Sequence, residues 1–314
     1  MSKVLVVGGL GFIGNVLSKE FLENGWDVTI IDNETTYNTY EPELHKQKIE
    51  QRKIGLENAK IINSSIFYSE MTKDCVQEEK PDVVVNLANM PIAGVAVEQP
   101  ILASDTMIRG LLNLLEGSKG IVKRFVNVSS SMVYGDFLTD PVLEDQVCNP
   151  QEIYGNLKVT GERLLRAYTK LHNLEHTIVR PSACYGPSGN EAFVITKFLR
   201  EAMKGGSINI NGVGTKLDFT YVTDIAHGIF LAATKPEGAN ETFNVTCGKK
   251  RGLTEVADIL KGWYPDLTVN ITDPNTLYPK RGQLSIEKAQ KLLGYESKVQ
   301  LEEGLQKFRE HLES

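Results

Sequence analysis

The sequence predicts a doubly wound α/β protein, in which a parallel β-sheet carries helices on both faces and is followed by a smaller α+β lobe. Short apolar stretches alternate with amphipathic helical stretches through the first half of the chain. The apolar stretches are hydrophobic at successive positions, as in strands that a parallel sheet buries on both faces. A glycine-rich turn joins the first strand to the first helix. The 314-residue chain is long enough to bury a large core.

The elements of the first half follow one another in regular order. Strands are predicted over 3–9, 28–32, 59–66, 81–88 and 123–129. Helices are predicted over 12–24, 69–79, 101–118 and 153–168. A polar segment, 38–60, is rich in Lys, Glu and Gln, and we interpret it as a solvated helix or loop, with a lid over a binding site as the alternative.

The pattern loosens after residue 180, where turn-forming sequences become frequent. Short helices are predicted near 192–204, near 254–262 and at the C-terminus. We therefore expect a first domain over residues 1–180 and a lobe that mainly binds substrate over 181–314, with the chain crossing between the two near 217–245.

Composition and charge exclude several classes of function. A net charge of −6 and a pI near 5.6 argue against a nucleic-acid-binding surface. Cys75, Cys148, Cys184 and Cys247 are widely scattered, so we expect neither a zinc site nor disulfides. No stretch approaches the roughly 18 apolar residues that a membrane span needs. These features predict a cytoplasmic protein with reduced thiols.

The glycine turn predicts a dinucleotide site. Gly8, Gly11 and Gly14 lie between the first strand and the first helix, where a backbone without side chains can approach a pyrophosphate at the helix N-terminus. Asp32 ends the second strand, where its carboxylate would bind ribose hydroxyls and repel a 2′-phosphate. The pattern therefore predicts a Rossmann-type domain that prefers NAD to NADP. A glycine turn serving helix–strand packing alone is the alternative.

A serine run and a YxxxK pair predict a proton relay. Ser129, Ser130 and Ser131 follow the fifth predicted strand, and Tyr154 and Lys158 lie one helical turn apart. A lysine ammonium beside a tyrosine favours the phenolate, which can then take a proton from a substrate alcohol. A serine facing the same alcohol could share that proton. The alternatives are a polar loop and an amphipathic helix with one exposed lysine.

Several longer motifs identify a family. They are GGLGFIG, IIDN, VVNLAN, the serine run with VYG, YGNLK, RPSACYGP, DFTYVTD and LLGYESKVQLEEGL, and they span nearly the whole chain. With these motifs the chain resembles the extended short-chain dehydrogenase/reductases, specifically the nucleotide-sugar epimerase/dehydratase family. The resemblance implies NAD as cofactor, a UDP- or GDP-linked sugar as substrate, a role in polysaccharide biosynthesis and a homodimer. The dimer would form through the apolar stripes of the helices near 98–118 and 153–171, which otherwise would pack on the sheet.

The resemblance also assigns roles to individual residues. Ser130, four residues before Tyr134, would be the serine of the relay, with Tyr154 as base and Lys158 as its tuner and a ribose contact. The positions expected to bind NAD are Gly8, Gly11, Phe12, Ile13, Gly14, Asp32, Asn33, Ser65, Ile66, Leu87, Ala88, Asn89, Tyr154, Lys158 and Pro181. Those expected to bind the sugar nucleotide are Ser130, Met132, Tyr185, Lys216 and Arg281, with a place in the core as the alternative for Tyr185.

Position 132 discriminates among the reactions of this family. Its 4,6-dehydratases carry an Asp and a Glu where this chain has Ser131 and Met132, and a thioether cannot transfer a proton. The decarboxylases often keep a Glu at that site and the 3,5-epimerases a Cys. The site therefore favours reversible oxidation of a sugar hydroxyl at C4. Net 4-epimerisation is expected, with a 4-dehydrogenase that releases a product such as GDP-4-keto-heptose as the alternative.

Departures from the family pattern fall mainly at the substrate end. Ala183 replaces an Asn, Leu217 an Arg, and Met107 an Asn of the helix after the fourth strand. With these changes, GDP-linked sugars are candidate substrates as well as UDP-linked ones. Two other classes of function also stay open, an NAD-sensing regulator and a dehydrogenase of a different alcohol. The intact relay residues argue against the regulator, because binding alone needs no proton transfer.

Overall fold

The computed structural model describes residues 1–35, 37, 41–90, 92–212, 214–273 and 279–314. In this part of the chain the strands are β1 (Lys3–Val7), β2 (Asp27–Asp32), β3 (Lys60–Asn63), β4 (Val83–Asn86), β5 (Arg124–Val128), β6 (Glu175–Arg180), β7 (Ala183–Tyr185), β8 (Ser207–Asn211), β9 (Lys216–Tyr221), β10 (Glu241–Asn244), β11 (Lys250–Gly252) and β12 (Thr268–Thr272).

The described helices alternate with these strands. They are α1 (Phe12–Glu23), α2 (Pro42–Lys53), α3 (Ser69–Glu79), α4 (Ala93–Glu98), α5 (Pro100–Ser104), α6 (Gly110–Ser118), α7 (Ile153–His172), α8 (Val194–Met203), α9 (Val222–Thr234), α10 (Leu253–Trp263), α11 (Glu287–Leu293) and α12 (Leu301–Glu313). The helix predicted over 101–118 is interrupted, because a π-helical turn, Asp105–Arg109, separates α5 from α6. Met107 lies in that turn, and such turns are frequent near functional sites.

The seven strands of the main sheet are all parallel, in the order β10-β6-β5-β4-β1-β2-β3. Helices cover both faces, which confirms the predicted fold class. Alternate side chains of each strand enter the two layers. Val4 and Val6 of β1 pack in the layer of α1 and α9, whereas Leu5 and Val7 pack in the layer of α3 and α6. Burial on both faces explains why the strands are apolar at successive positions.

The rest of the chain forms a second, smaller lobe beside the carboxyl ends of the main-sheet strands. A three-stranded sheet, β11-β9-β7, and the parallel pair β8–β12 pack with α8, α10 and α12 around a separate core. Three elements after residue 180 return to the main sheet. Helix α9 packs against α1, β10 pairs with β6, and helix α11 packs against α9 and β10. The strands β6 and β10 and the helices α9 and α11 were not among the sequence predictions.

The apolar side chains of the helices near 98–118 and 153–171 are only partly buried in the core. Leu111, Leu114 and Leu165 are buried, as packing on the sheet requires, but Leu171 near the end of α7 is exposed. None of the helices in the described part of the chain combines the length and apolarity that a membrane span requires.

Candidate active site

A cleft of about 970 Å³ opens at the carboxyl ends of the parallel strands, between the main sheet and the second core. Ligands of doubly wound proteins bind at this edge of the sheet. Every residue predicted to bind NAD lines the cleft: Gly8, Gly11, Phe12, Ile13, Gly14, Asp32, Asn33, Ser65, Ile66, Leu87, Ala88, Asn89, Tyr154, Lys158 and Pro181. Of the predicted substrate contacts, Ser130, Met132, Lys216 and Arg281 also line it.

Tyr185 is the exception, and its prediction as a substrate contact is corrected by the structure. Its side chain is 1% exposed and lies in the core of the second lobe, where its ring meets those of Phe219 and Tyr221 edge-on. Its hydroxyl donates to the carbonyl oxygen of Leu301. The side chain is therefore part of this core and does not line the cleft.

The glycine turn combines both of the roles considered for it. Gly8 has φ of +79°, which a residue with a side chain rarely adopts. A Cβ on Gly14 would overlap the carbonyl oxygen of Gly8, so the third glycine is required for close packing of α1 on the turn. Helix α1 begins after Gly11 without a side-chain cap, and its first N–H groups lie at the cleft. A pyrophosphate fits such a helix end.

Asp32 lies at the end of β2, with its carboxylate at the cleft. Its two oxygens accept hydrogen bonds from the N–H groups of Leu10, at 2.9 Å, and Glu34, at 2.8 Å. Burial raises the pKa of Asp32, while these two hydrogen bonds and the nearby Arg52 guanidinium act to lower it. Each carboxylate oxygen has a second lone pair that a ribose hydroxyl could use.

The relay residues come together at the centre of the cleft. Ser130 accepts a hydrogen bond from the N–H of Met132, at 3.2 Å, and so begins the short 3-10 turn Ser131–Tyr134. Ser130 and Tyr154 both line the cleft, and the Ser130 hydroxyl acts to lower the pKa of Tyr154. Asn89 Nδ2 donates to the Tyr154 hydroxyl oxygen, at 2.8 Å. Lys158 Nζ lies 5.7 Å from the centre of the Tyr154 ring.

Burial dominates the ionisation of this group. It raises the pKa of Tyr154 to about 12, against the hydrogen bonds from Asn89 and Ser130, which lower it, and Glu152 raises it further. Burial also lowers the pKa of Lys158 to about 7, against the carboxylate of Glu162. The sequence prediction gave Lys158 the main influence on the tyrosine. The structure instead assigns the direct hydrogen bond with the hydroxyl to Asn89.

The three serines have three different partners. Ser130 acts to lower the pKa of Tyr154. Ser129 Oγ donates to Glu162 at 2.6 Å, and Ser131 Oγ donates to Ser182 at 3.3 Å. Both of these serines are buried, so they are core polar groups with defined partners rather than a solvated loop. The thioether of Met132 lines the cleft beside Ser130.

The segment that carries Arg281 is fixed to the loop that follows the 3-10 turn. Lys280 N–H donates to Asp136 Oδ1 at 2.7 Å, and Gln283 N–H donates to Asp140 Oδ1 at 3.1 Å. Lys250 also forms an ion pair with Asp140. The same loop that starts at the serine run therefore sets the position of Arg281 at the cleft.

Helix α2 contributes residues that the sequence analysis missed. Lys48 and Arg52 are 6% and 7% exposed, so the interpretation of 38–60 as a solvated segment is wrong for this face of the helix; residues 38–40 lie outside the described part of the chain. Lys48 Nζ donates to the carbonyl oxygen of Gly189 at 2.6 Å, and Arg52 reaches that of Ser188 at 2.6 Å. Their i, i+4 spacing could have indicated one functional face.

The cleft fits NAD on its own chemistry. Asn89 Oδ1 is a buried oxygen for which the described residues supply no hydrogen-bond partner, so a ligand is needed to satisfy it. The glycine turn would hold the pyrophosphate, Asp32 the adenosine ribose, and Tyr154 and Lys158 the other ribose. No group of three His, Cys, Asp or Glu side chains suited to a metal ion is found among the described residues.

Comparisons with known proteins agree with this geometry. A family model described as the NAD dependent epimerase/dehydratase family matches residues 4–246. A UDP-glucuronate 4-epimerase of Thermodesulfobacterium geofontis is 31% identical over 98% of this chain and 95% of its own. The structure of a Thermotoga maritima UDP-glucose 4-epimerase with UDP-glucose has a TM-score of 0.88, 30% identity, and coverage of 99% of this chain and 98% of that chain. A Bacillus cereus UDP-glucuronic acid 4-epimerase with UDP-glucuronic acid and NAD gives a TM-score of 0.89, 26% identity and 99% coverage of both chains.

Proposed function

The chain belongs to the NAD-dependent epimerase/dehydratase family, as its motifs indicated, and from this premise we propose that it is a UDP-sugar 4-epimerase. The observation that carries the proposal is that Ser130, Tyr154 and Lys158 line one cleft together with the residues expected to hold NAD, beside Met132 rather than an acidic side chain. NAD is the cofactor of the family. The two solved relatives described above bind UDP-glucose and UDP-glucuronic acid, which favours a UDP-linked sugar.

The relay residues divide the proton transfer at C4 between them. Tyr154, as the phenolate, accepts the proton of the C4 hydroxyl, and Ser130 hydrogen-bonds the same sugar oxygen and holds it in line. NAD, when bound, would supply the hydride acceptor and donor for C4. Tyr154 then gives the proton back to the newly formed C4 alcohol. Lys158 contributes positive charge below Tyr154 when it is protonated, since its pKa is about 7.

Inversion at C4 requires the 4-keto sugar to turn over within the cleft. The diphosphate must stay bound while the sugar presents its other face. Arg281, held by the loop that begins at the serine run, would pair with the diphosphate as a charge-assisted clamp. The small Ala183 and the flexible Met132 line the part of the cleft in which the sugar would turn.

A 4,6-dehydratase reaction is disfavoured by the same site. Elimination of water needs an acid and a base in addition to the C4 relay. Ser131 is buried and bonded to Ser182, and Met132 has no transferable proton. GDP-heptose oxidation is not proposed, because the relatives described above are named for UDP-linked sugars.

A homodimer belongs to the same proposal. Val97 and Ile101 are 57% and 75% exposed on α4 and α5, helices that pack against α7. A second copy would remove these apolar side chains from water. Sedimentation of the enzyme and of an Ile101→Asp variant tests this, since the variant should sediment as a monomer.

The reaction is tested by incubating the enzyme and NAD⁺ with UDP-glucose, UDP-glucuronate and GDP-heptose, with products followed by NMR and NADH by its absorbance. The proposal expects a C4 epimer of a UDP-sugar without accumulated NADH. Stoichiometric NADH with a released 4-keto sugar would contradict it and favour a dehydrogenase.

A further inference from the structure

Asn89 contacts Tyr154, which lies 65 residues later in the sequence. It follows β4, and its Nδ2 group donates to the hydroxyl oxygen of Tyr154 at 2.8 Å. Ser130, which follows β5, lines the same cleft and acts to lower the pKa of Tyr154. The ends of two adjacent parallel strands therefore bring Asn89 and Ser130 to the cleft that holds Tyr154, and Asn89 donates directly to the tyrosine oxygen.

The contact is not explained by a structural role for Asn89. Its side chain is only partly buried, and its Oδ1 atom lacks a hydrogen-bond partner among the described residues. An amide kept for stability would normally have both of its polar atoms satisfied. The one strong bond of this side chain is directed to the atom that must lose and regain a proton.

The lysine expected to tune Tyr154 is directed elsewhere. Lys158 Nζ donates to the backbone carbonyl oxygen of Val128 at 2.7 Å. The helix position at which the family carries an Asn is Met107, which has no donor. A donor from another element is therefore needed to stabilise negative charge on the tyrosine oxygen, because burial strongly disfavours the phenolate.

We infer that Asn89 is a positioning residue of the relay, which holds the Tyr154 hydroxyl in place and stabilises its phenolate through the Nδ2–H bond. The inference rests on the proposed function, in which Tyr154 is the base. A hydrogen bond to a charged oxygen is stronger than one to a neutral oxygen, so the bond strengthens as Tyr154 loses its proton.

The charged side chains near Tyr154 come from segments other than the one that carries Asn89. Glu152 and Lys158 belong to α7, the helix of Tyr154 itself, and Arg281 lines the same cleft from the segment after β12. The segments after β4 and β5 contribute the uncharged Asn89 and Ser130. Asn89 can therefore be changed without altering any of the three charged neighbours.

The test compares Asn89→Leu and Asn89→Asp with the wild-type enzyme loaded with NAD. Leucine removes the donor, and aspartate is nearly isosteric but replaces the donor with a charge. Loss of the donor raises the pKa of Tyr154, so the acid limb of kcat should move to higher pH by about one unit. At neutral pH kcat should fall about tenfold, and the KM of the sugar nucleotide should not change.

A second readout does not depend on turnover. NMR of enzyme labelled at the tyrosine ring carbon that bears the hydroxyl can follow the titration of Tyr154, whose signal is identified by its loss in Tyr154→Phe. The titration should move in the same direction as the acid limb, and further in Asn89→Asp than in Asn89→Leu. Asn24→Asp makes the same chemical change at the exposed end of α1 and should leave both readouts unchanged.

The outcomes separate the inference from the proposed function. An unchanged acid limb and an unchanged Tyr154 titration in both Asn89 variants would overturn the inference, as would a change confined to KM. If Tyr154→Phe itself retained full turnover, the proposed function would fail first.

Discussion

The ammonium group of Lys158 donates a hydrogen bond to the backbone carbonyl oxygen of Val128, at 2.7 Å, where β5 ends and the serine run begins. This bond ties helix α7, which carries Tyr154, to the end of β5, two residues before Ser130. In the proposed relay Lys158 therefore helps to fix the distance between Tyr154 and Ser130, while Asn89 donates to the tyrosine hydroxyl itself.

Burial of Lys158 makes stability depend on pH. Its folded-state pKa of about 7 lies below its ordinary value, so between the two values the unfolded chain binds more protons. This group therefore makes the free energy of unfolding rise as the pH increases above about 7 and lowers it at acid pH. Lys158→Met should remove that slope in urea titrations of cofactor-depleted enzyme at several pH values. Equal slopes in the two proteins would contradict the assignment.

Removing the Tyr154 hydroxyl should abolish the reaction without disturbing the fold. Tyr154→Phe keeps the ring and loses only the proton-transferring oxygen, so kcat should fall by about 10²-fold or more. NAD content, measured after denaturation and extraction, should stay at the wild-type level. Ser130→Ala should lower kcat less, because Tyr154 keeps its bond from Asn89.

Glu162 and Arg180 form a buried ion pair that supports the serine run. Arg180 donates from Nε and Nη2 to the two Glu162 oxygens, at 2.9 and 2.7 Å, and Ser129 donates to the same carboxylate. Burial acts to raise the pKa of Glu162, but its bonds from Arg180 and Ser129 outweigh this and lower it. Arg180→Leu would leave this buried carboxylate with only Ser129 and the half-exposed Arg166, at 3.3 Å, as partners.

The loss for Arg180→Leu should be about 3–5 kcal/mol in the free energy of unfolding, measured with urea. Lys307→Met breaks an exposed pair with Glu303 and should cost no more than about 1 kcal/mol. Equal losses in the two variants would show that the buried pair has no special role.

Asp32 should control the choice between NAD and NADP. Asp32→Asn removes the charge that repels a 2′-phosphate and leaves the Arg52 guanidinium nearby to attract it. Affinity for NADH should fall about tenfold and affinity for NADPH should rise, as measured by fluorescence titration of cofactor-depleted enzyme. Asp27→Asn, at the exposed start of the same strand, is the matched control and should change neither affinity.

Local sequence patterns were sufficient to place the glycine turn and Asp32 at the cleft. Gly8, Gly14 and Asp32 are set by the first βαβ unit, where neighbours in sequence are neighbours in space. The contact between Asn89 and Tyr154 depends on how two segments that are distant in sequence meet in the fold. The spacing of residues along the sequence therefore does not predict it. Tyr185 was misassigned for a related reason, since a three-residue strand gives no alternation from which to decide which face is buried.

The strands that were missed show the same limit. Strand β10 has the sequence ETFN, too short and too polar to stand out, and it becomes a strand because β6 offers it an edge. Helix α2 looks solvated by composition, with aliphatic residues outnumbered by charged ones. Its Lys48 and Arg52 are buried only because the segment around Gly189 lies over them.

The return of α9 and β10 to the main sheet decides how this protein could be recombined with its relatives. A single cut near residue 180 would leave β6 as a bare edge strand, with unpaired N–H and C=O groups open to aggregation, and would uncover the apolar side of α1. Exchange of the substrate-facing part therefore needs five junctions, before β7, before α9, after β10 and on either side of α11, which packs against α9 and β10. Chimeras built in this way could transplant sugar selectivity while the donor sheet stays whole.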